Sequence, residues 1–159
     1  MADLVVRDMT RSEFDEWLDA ALRSFADEQV AAGNWAADEA AQLAARAHRQ
    51  LLPHGFETEG MLFLTAALPD GTPVGVLWLG LAHPRGNPGC AFIYDIEVAA
   101  AHRGAGHGRA LLAAAEEAVR TRGAKALELN VFGDNTRAIR LYETAGYRVV
   151  TQQMRKPLD

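Results

Sequence analysis

A glycine-rich loop between a strand-like and a helix-like segment constrains the fold of this chain most. The β-prone run 91–98 precedes the loop, an amphipathic pattern follows it over about 108–122, and a second β-prone run comes at 126–131. Two strands joined by one helix of this length form a right-handed crossover, which makes the strands parallel. The sequence therefore predicts a parallel strand–helix–strand unit in the second half of the chain.

The first half of the chain carries helix and hairpin signals. Thr10 and Glu13 have the spacing of a capping box that opens a helix, and Gly33 marks the end of that helix. A second helix is predicted from about 36 to 52, and the segment 69–72 is a turn signal between two β-prone runs. The other predicted elements are strands at 4–7, 61–67, 74–81 and 147 to about 154, and a helix at 134–145. The order β-α-α-β-β-β-α-β-α-β predicts an α/β (α+β) fold with a mixed central sheet.

Composition indicates an ordinary globular protein. With 159 residues, 49% hydrophobic and 23% charged, the chain suits one domain, so we expect residues 1–159 to form a single unit. Cys90 is the only cysteine, and no Cys/His pair has zinc-ligand spacing, so we expect no disulfide, no structural metal and a reducing cytoplasm. No leader or membrane-spanning run is evident, and no Lys/Arg stripe favours nucleic acid.

Charge is distributed unevenly along the chain. Residues 1–60 hold 12 acids and 5 bases, a net of −7, whereas the remainder holds 9 acids and 11 bases, a net of +2. This division favours an anionic ligand bound by the later part and a cationic one met by the earlier part. A solvated acidic helix face explains the first 60 residues equally well.

The loop Arg103–Arg109 is suited to bind a pyrophosphate. Glycines at 104, 106 and 108 let the backbone approach a ligand closely, and the N–H groups at the start of the following helix favour an anion. A Walker loop is absent, and a dinucleotide fingerprint fails because its third glycine would fall on Arg109. A purely structural turn stays open.

Two segments together resemble the GNAT superfamily of N-acetyltransferases. The pattern Arg103-x-x-Gly106-x-Gly108 is similar to that superfamily's acetyl-CoA signature, with Ile96-Glu-Val98 before it at the expected distance. The segment 135–147 looks like the Asn-x-x-Ala-x-x-Leu-Tyr-x-x-x-Gly-Phe/Tyr segment of the superfamily. These motifs cover roughly residues 92–155, whereas residues 1–60 give no comparable match. The resemblance therefore implies the fold and cofactor but leaves the acceptor unidentified.

The resemblance implies that acetyl-CoA lies where strands 91–98 and 126–131 separate. A bulge near Val98 would then expose the backbone of Ile96 and Val98 to pantetheine, and Asn135 would contact the arm of the cofactor. Capping of its own helix is an equal alternative for Asn135. The implied cofactor-binding residues are Ile96, Val98, Arg103, Gly104, Ala105, Gly106, His107, Gly108, Arg109 and Asn135.

The resemblance implies the role of one side chain, Tyr142, and the pattern of strand 91–98 provides a candidate for a second role. Tyr142 matches the tyrosine that protonates the departing thiolate, although packing under the helix end is an alternative. Strict alternation places Asp95 and Glu97 on one face of strand 91–98 and Ile96 and Val98 on the other. Glu97 is then the candidate base, with an ordinary solvated carboxylate as the alternative.

These observations together predict an N-acetyltransferase that moves the acetyl group of acetyl-CoA directly to a primary amine. The acceptor is expected to be a small molecule or peptide, and the acidic first part favours a cationic one. Cys90 has no base beside it in the sequence, which disfavours an acyl-cysteine intermediate. The alternatives are a non-catalytic acyl-CoA-binding module and a nucleotide-binding oxidoreductase. Homodimers are frequent among similar proteins, so a homodimer stays open.

Overall fold

One five-stranded sheet organises the chain in the computed structural model, which describes residues 3–159. The strands lie in the order β1-β2-β3-β4-β5; the first four are antiparallel, and β4 pairs with β5 in parallel, as predicted. The strands are β1 Val5–Asp8, β2 Met61–Ala67, β3 Pro73–Gly80, β4 Cys90–Val98 and β5 Ala126–Leu129, and the α-helices are α1 Arg11–Ala31, α2 Ala40–Leu51, α3 His107–Arg120 and α4 Thr136–Thr144. The predicted α/β (α+β) class is confirmed.

A capping box fixes the start of α1. The Thr10 hydroxyl accepts the Glu13 N–H at 3.1 Å, and the Glu13 carboxylate accepts the Thr10 N–H at 2.8 Å. Arg7 of β1 donates to both oxygens of the same carboxylate, at 2.7 and 2.9 Å, and chiefly for this reason the pKa of Glu13 falls to about 2. The box predicted from the sequence therefore also ties α1 to the first strand.

The sheet buries a different core on each face. On the α1 side, the aromatic rings of Phe14, Trp17, Phe63 and Trp78 pack together. On the other side, α3 packs Leu111 and its apolar neighbours against β3 and β4. Gly75 of β3 permits this approach, because a Cβ there would lie 3.0 Å from Leu111 Cδ2 and from the Glu97 carbonyl oxygen. The sheet is thus covered on both faces near β4, the strand that leads to the glycine-rich loop.

A β-bulge at Tyr94 corrects the predicted side-chain alternation. Trp78 pairs with Asp95 and Leu79 with Ile93, which leaves Tyr94 as the extra residue on β4. The extra residue shifts the alternation by one position, so Tyr94 and Asp95 both face α1. Strict alternation along the whole strand would place Phe92 and Tyr94 on the face of Ile96 and Val98. That alternation is wrong, as is the bulge near Val98, because Ile93, Ile96 and Val98 share the α3 face.

The predicted last strand is not formed within the chain. No residue between Ala145 and the end of the described chain at Asp159 lies in a helix or strand. Residues 148–159 take part in no backbone–backbone hydrogen bond. A β-prone sequence becomes a strand only where a partner strand is available, and propensity alone does not supply one. Within residues 3–159, no helix has the length and apolar character needed to cross a membrane.

Candidate active site

The early end of β5 opens a gap in the sheet. β5 pairs with β4 only from Cys90–Ala126 to Ile93–Leu129, whereas β4 continues to Val98. The Ala99 N–H donates to the Val74 carbonyl, next to β3, at 2.9 Å. Counting back from Ala99, every second residue of β4 therefore points its N–H and C=O groups toward β3, and the residues between them point these groups away from β3. By this alternation the N–H and C=O groups of Ile96 and Val98 face the gap. The two predicted backbone positions therefore line the opening.

The glycine-rich loop presents a run of unpaired amides beside this gap. Gly104 and Gly106 have φ values of +84° and +81°, and a Cβ at either position would meet nothing within 4 Å. α3 begins at His107 without a side-chain cap at Gly106. Among the described residues, no acceptor pairs with the N–H groups of residues 104–109. Six consecutive amides at the start of a helix form a site for a phosphate-type anion.

A buried nitrogen in the same loop also lacks a partner. His107 Nδ1 is buried and makes no hydrogen bond within residues 3–159. An unpaired buried polar atom costs roughly 1–3 kcal/mol, which a polar ligand in the loop would offset. The loop residues therefore fit the phosphate end of a cofactor.

The two arginines that flank the loop already have protein partners. Arg103 Nε donates to the Val98 carbonyl at 3.1 Å, and its guanidinium lies 3.6 Å from the Glu97 carboxylate. Arg109 donates to the Thr144 hydroxyl at 2.7 Å, which joins α3 to α4. Both arginines thus brace the elements around the gap, and the amides of residues 104–109 stay unpaired beside them.

Asn135 caps α4. Its side-chain oxygen accepts the Ala138 N–H at 3.3 Å. The capping role that the sequence left open is therefore present, while the amide NH₂ of Asn135 makes no hydrogen bond within the described part of the chain.

Tyr142 places an unpaired phenol near the gap. It packs partly buried on α4 against the α3 core, and its hydroxyl makes no hydrogen bond within residues 3–159. Burial raises the pKa of Tyr142, and the negative charge of Asp95 raises it further. Tyr147 nearby differs, because its hydroxyl donates to Glu116 at 2.9 Å. Tyr142 is thus a protonated donor without a protein acceptor.

Asp95 is a site residue that sequence reasoning passed over in favour of Glu97. The Trp17 indole N–H of α1 donates to its carboxylate at 2.8 Å. The pKa of Asp95 is raised to about 6. Burial is the main cause, and the negative charges of Glu97 and Glu28 add to it, whereas the hydrogen bond from Trp17 acts in the opposite direction. The sequence did show two acids, Asp95 and Glu97, in one central strand, which indicated a polar site there. Only the bulge shows that Asp95 is the enclosed one.

Three carboxylates therefore interact on the α1 side of β4. Glu97 is exposed, and Glu28 of α1 has a raised pKa because of burial and, secondarily, the charge of Glu97. Asp95 completes the group, and its pKa responds to both of the other charges. The cleft on this side of the sheet is negative, and Glu28 belongs to the acidic first part of the chain.

A second polar cluster lies at the opposite end of β4. His83 Nε2 lies 2.9 Å from the Glu128 carboxylate, and the ligand atoms of His83, Cys90 and Glu128 all lie within 4.8 Å of one another. The Arg85 N–H donates to His83 Nδ1 at 3.0 Å, which makes Nε2 the protonated nitrogen of a neutral ring. A metal would have to displace that proton and break the Arg85 bond.

The Cys90 thiol in that cluster is a poor nucleophile. It is buried, and burial together with the Glu128 carboxylate raises its pKa to about 11. The thiol is therefore protonated at neutral pH. The expectation that Cys90 has no base beside it is wrong, because His83 and Glu128 both lie next to the thiol.

The sheet is mixed and opens between β4 and β5, and unpaired amides lie at the start of α3, the helix that follows β4. These features define the class of the acyl-CoA-dependent acetyltransferases. Residues 8–147 match the Acetyltransferase (GNAT) family. The match covers most of the chain, and the chain belongs to this family of acetyltransferases.

Comparison with known proteins identifies a relative of the same length. The chain is 34% identical to the Uncharacterized N-acetyltransferase YycN of Bacillus subtilis over 98% of this chain and 99% of that protein. The crystal structure of YycN superposes with a TM-score of 0.92 at 98% coverage of this chain and 99% of that one. The family and the fold are therefore both shown by this relative.

Two more distant proteins are similar over different lengths. A mycothiol acetyltransferase of Propionibacterium freudenreichii is 34% identical over 78% of this chain but only 40% of its own length. AAC(6′)-Iy, solved with a CoA-S-monomethyl-acetylneamine bisubstrate analogue, has a TM-score of 0.61 and 15% identity over 99% of both chains. The second of these shows the fold alone.

The half-buried carboxylate of Asp95 makes a testable contribution to stability. Because the folded state raises the pKa of Asp95 from 3.8 to about 6, it binds this proton more tightly than the unfolded state, so stability falls as the pH rises through that interval. We expect Asp95→Asn, which keeps an oxygen for Trp17, to raise the free energy of unfolding near neutral pH by roughly 2–3 kcal/mol and to change it little below about pH 4. Urea denaturation at both pH values measures the difference.

The matched control for this variant is Asp19→Asn, at an exposed carboxylate on the same helix as Trp17. It should change stability by no more than about 0.5 kcal/mol at either pH. A loss of stability in Asp95→Asn at neutral pH would contradict the account of Asp95.

Proposed function

We propose that this chain transfers the acetyl group of acetyl-CoA directly to a primary amine in a ternary complex. The observation that carries the proposal is the run of six unpaired N–H groups at 104–109 beside the gap between β4 and β5. Acetyl-CoA supplies the acetyl group and a thiolate leaving group. The family membership supports this co-substrate, and the proposed unit is the single domain 1–159, acting in the cytoplasm.

The proposed cofactor contacts follow the surface from the loop to the gap. The unpaired amides of Gly104, Ala105, Gly106, His107, Gly108 and Arg109 would hold the pyrophosphate. The Arg103 guanidinium and His107 Nδ1 would be additional polar contacts, since the Arg103 amide is bonded to the Ala100 carbonyl. The gap-facing backbone of Ile96 and Val98 would pair with pantetheine as an added strand does. Asn135 would contribute its free NH₂ group.

A charged side chain in the loop should remove cofactor binding. In Gly106→Glu, a carboxylate stands among the amides and repels the diphosphate, so we expect the dissociation constant for acetyl-CoA to rise at least about tenfold. Titration calorimetry measures this. Thermal shifts with NAD in place of acetyl-CoA test the oxidoreductase alternative, which predicts stabilisation by NAD alone.

Gly71→Glu is the matched control for backbone strain and charge. Gly71 also has a positive φ, +93°, and open space around it, but it lies in the β2–β3 turn. Its variant should bind acetyl-CoA as the wild type does. Equal dissociation constants for both variants and the wild type would contradict the loop assignment.

Tyr142 is the proposed acid. The amine nitrogen forms a bond to the thioester carbonyl carbon, the carbon–sulfur bond breaks, and the sulfur leaves as a thiolate that must gain a proton. The raised pKa of Tyr142 keeps its phenol protonated at neutral pH, and no protein acceptor competes for its hydrogen. Val98 N–H, in the gap, would stabilise negative charge on the carbonyl oxygen.

Removal of the Tyr142 hydroxyl should lower turnover. In Tyr142→Phe we expect kcat to fall about 100-fold, because the thiolate departs without its donor, and the dissociation constant of acetyl-CoA to stay within about twofold. Thiol release with a panel of amines and calorimetry provide the two measurements. Tyr147→Phe is the matched control, since that hydroxyl is already bonded to Glu116; an equal loss in both variants would remove Tyr142 from the chemistry.

Two carboxylates can receive the proton that the amine loses. Glu97, the base expected from the sequence, is exposed and can pass a proton to water. Asp95 is more enclosed, is fixed by Trp17, and is ionised above a pKa of about 6. We favour Asp95 as the acceptor of the proton and Glu97 as a relay to solvent.

The pH dependence of turnover distinguishes the two carboxylates. We expect kcat/KM to rise with pH through about 6 in the wild type, because only ionised Asp95 accepts a proton. Asp95→Asn should lower kcat/KM about 100-fold and remove this rise, whereas Glu97→Gln should keep it. A rise that persists in Asp95→Asn and disappears in Glu97→Gln would assign the base to Glu97.

The acceptor is proposed to carry positive charge. Glu28, Asp95 and Glu97 place three interacting carboxylates on the α1 side of the gap, so a second cationic group on the acceptor would be attracted there. The amine panel tests this with cationic and neutral amines of equal length. Equal kcat/KM values for the two classes would contradict a cationic acceptor, and no thiol release with any amine would favour the non-catalytic acyl-CoA-binding module.

A further inference from the structure

Three side chains of metal-ligating types meet at the end of β4 that lies away from the glycine-rich loop. His83 follows β3, Cys90 begins β4, and Glu128 belongs to β5. One ring nitrogen of His83, the Cys90 sulfur and a Glu128 carboxylate oxygen all lie within 4.8 Å of one another. Within residues 3–159, this is the one group of three His, Cys, Asp or Glu side chains whose ligand atoms come so close.

The fold holds these three side chains in place without a ligand. Phe92 and Glu128 are partners in the parallel pairing of β4 with β5, and Cys90 lies two residues before Phe92, on the same face of the sheet. The His83 ring packs edge to face against Phe92, with 5.3 Å between the ring centroids. The side chains of His83 and Cys90 are buried, whereas that of Glu128 is 24% exposed. Two ligands are therefore enclosed, and the third leaves a path from solvent.

This donor set suits zinc better than a hard cation. A thiolate, an imidazole and a carboxylate are all ligands of Zn²⁺, with bonds of about 2.0–2.3 Å, whereas Mg²⁺ and Ca²⁺ prefer oxygen ligands alone. Ligand atoms around a tetrahedral zinc lie about 3.3–3.7 Å apart, so atoms that already lie within 4.8 Å need to move by only about 1 Å. The thiolate and carboxylate charges also neutralise a divalent ion, which lowers the free-energy cost of burying it.

Metal binding requires one change in the hydrogen bonds of His83. Nε2 holds the ring proton and faces Glu128, while Nδ1 accepts the Arg85 N–H at 3.0 Å. When a metal ion occupies Nε2, the ring proton moves to Nδ1 and the Cys90 thiol releases its proton to solvent, so one proton is released per ion. Arg85 is exposed, so water can accept its N–H in place of Nδ1. The hydrogen bond that is lost is therefore replaced by one to solvent.

We propose that His83, Cys90 and Glu128 bind a zinc ion, with a water molecule as the fourth ligand. The ligands come from three elements that are distant in sequence, so zinc-ligand spacing along the chain does not reveal them. The ion would join the loop after β3 to both β4 and β5, at the end of the sheet where these two strands are paired. The site is separate from the unpaired amides at 104–109, so it does not depend on the proposed function.

Metal titration of the full chain tests the proposal. The chain is first freed of metal with a chelator and then titrated with Zn²⁺ in competition with a chromophoric chelator. We expect one zinc ion per chain and a rise in the melting temperature, because the ion binds the folded state. Co²⁺ should give a cobalt–thiolate absorption band that Zn²⁺ removes, since zinc binds such ligands more tightly than cobalt does. Mg²⁺ should neither raise the melting temperature nor remove the band.

Substitutions at two ligands locate the ion. We expect Cys90→Ala to remove the cobalt–thiolate band and, like Glu128→Gln, to raise the zinc dissociation constant at least about tenfold, because each variant removes one ligand. Glu128→Gln keeps a side-chain oxygen for the His83 N–H at a half-exposed position, so this variant should fold. His102→Gln is the matched control. The His102 ring lies 6.2 Å from that of His107 beyond the other end of β4, and its variant should bind zinc as the wild type does.

Three results would overturn the proposal. One is a folded, metal-free chain that binds no zinc in a one-to-one ratio, and another is a cobalt complex without the thiolate band. The third is a zinc dissociation constant that Glu128→Gln leaves unchanged, or that His102→Gln raises as much as Glu128→Gln does. Melting temperatures of the metal-free variants show whether each one is folded, and if Cys90→Ala is not, the cobalt band of the wild type and the constant of Glu128→Gln decide the result.

Discussion

The separation of β4 from β5 after Ile93 is the constraint on which the site depends. The hydrogen bonds between β4 and β5 stop while β4 continues, so backbone N–H and C=O groups on that side of β4 need another partner. In this fold those groups belong to Ile96 and Val98. Because β4 leads through the glycine-rich loop into α3, the unpaired amides at residues 104–109 lie at the same end of the sheet. One change in strand pairing thus brings an unpaired strand edge and a run of unpaired amides together.

The bulge at Tyr94 decides which side chains face that opening. With one extra residue on β4, Asp95 turns toward α1 and meets the Trp17 indole, while Ile96 and Val98 stay on the α3 core. The half-buried carboxylate of Asp95 lowers stability near neutral pH, and such a cost is common where a group serves chemistry rather than packing. The same change in direction brings Asp95 under the influence of Glu28 and Glu97, so the electrostatic character of the cleft also follows from the bulge.

The two ends of the sheet are finished in different ways. β1 is tied to α1 through the contact of Arg7 with Glu13, and its edge carries charge. β5 is only four residues long and has no second partner in the described chain, while residues 148–159 make no backbone–backbone hydrogen bond.

Local patterns in the sequence determined most of the elements and much of the proposed cofactor site. The Thr10 capping box, the helices ended by glycine and the loop from Arg103 to Arg109 depend on residues close together in the chain, and each was predictable for that reason. The role of Tyr142 came from a resemblance to a known segment and remains a proposal. Three features depend on contacts between distant residues: the bulge at Tyr94, the enclosure of Asp95 by Trp17, and the unpaired state of residues 148–159. A strand's register and a carboxyl's pKa are set by what lies beside them in space, so only the tertiary structure decided these.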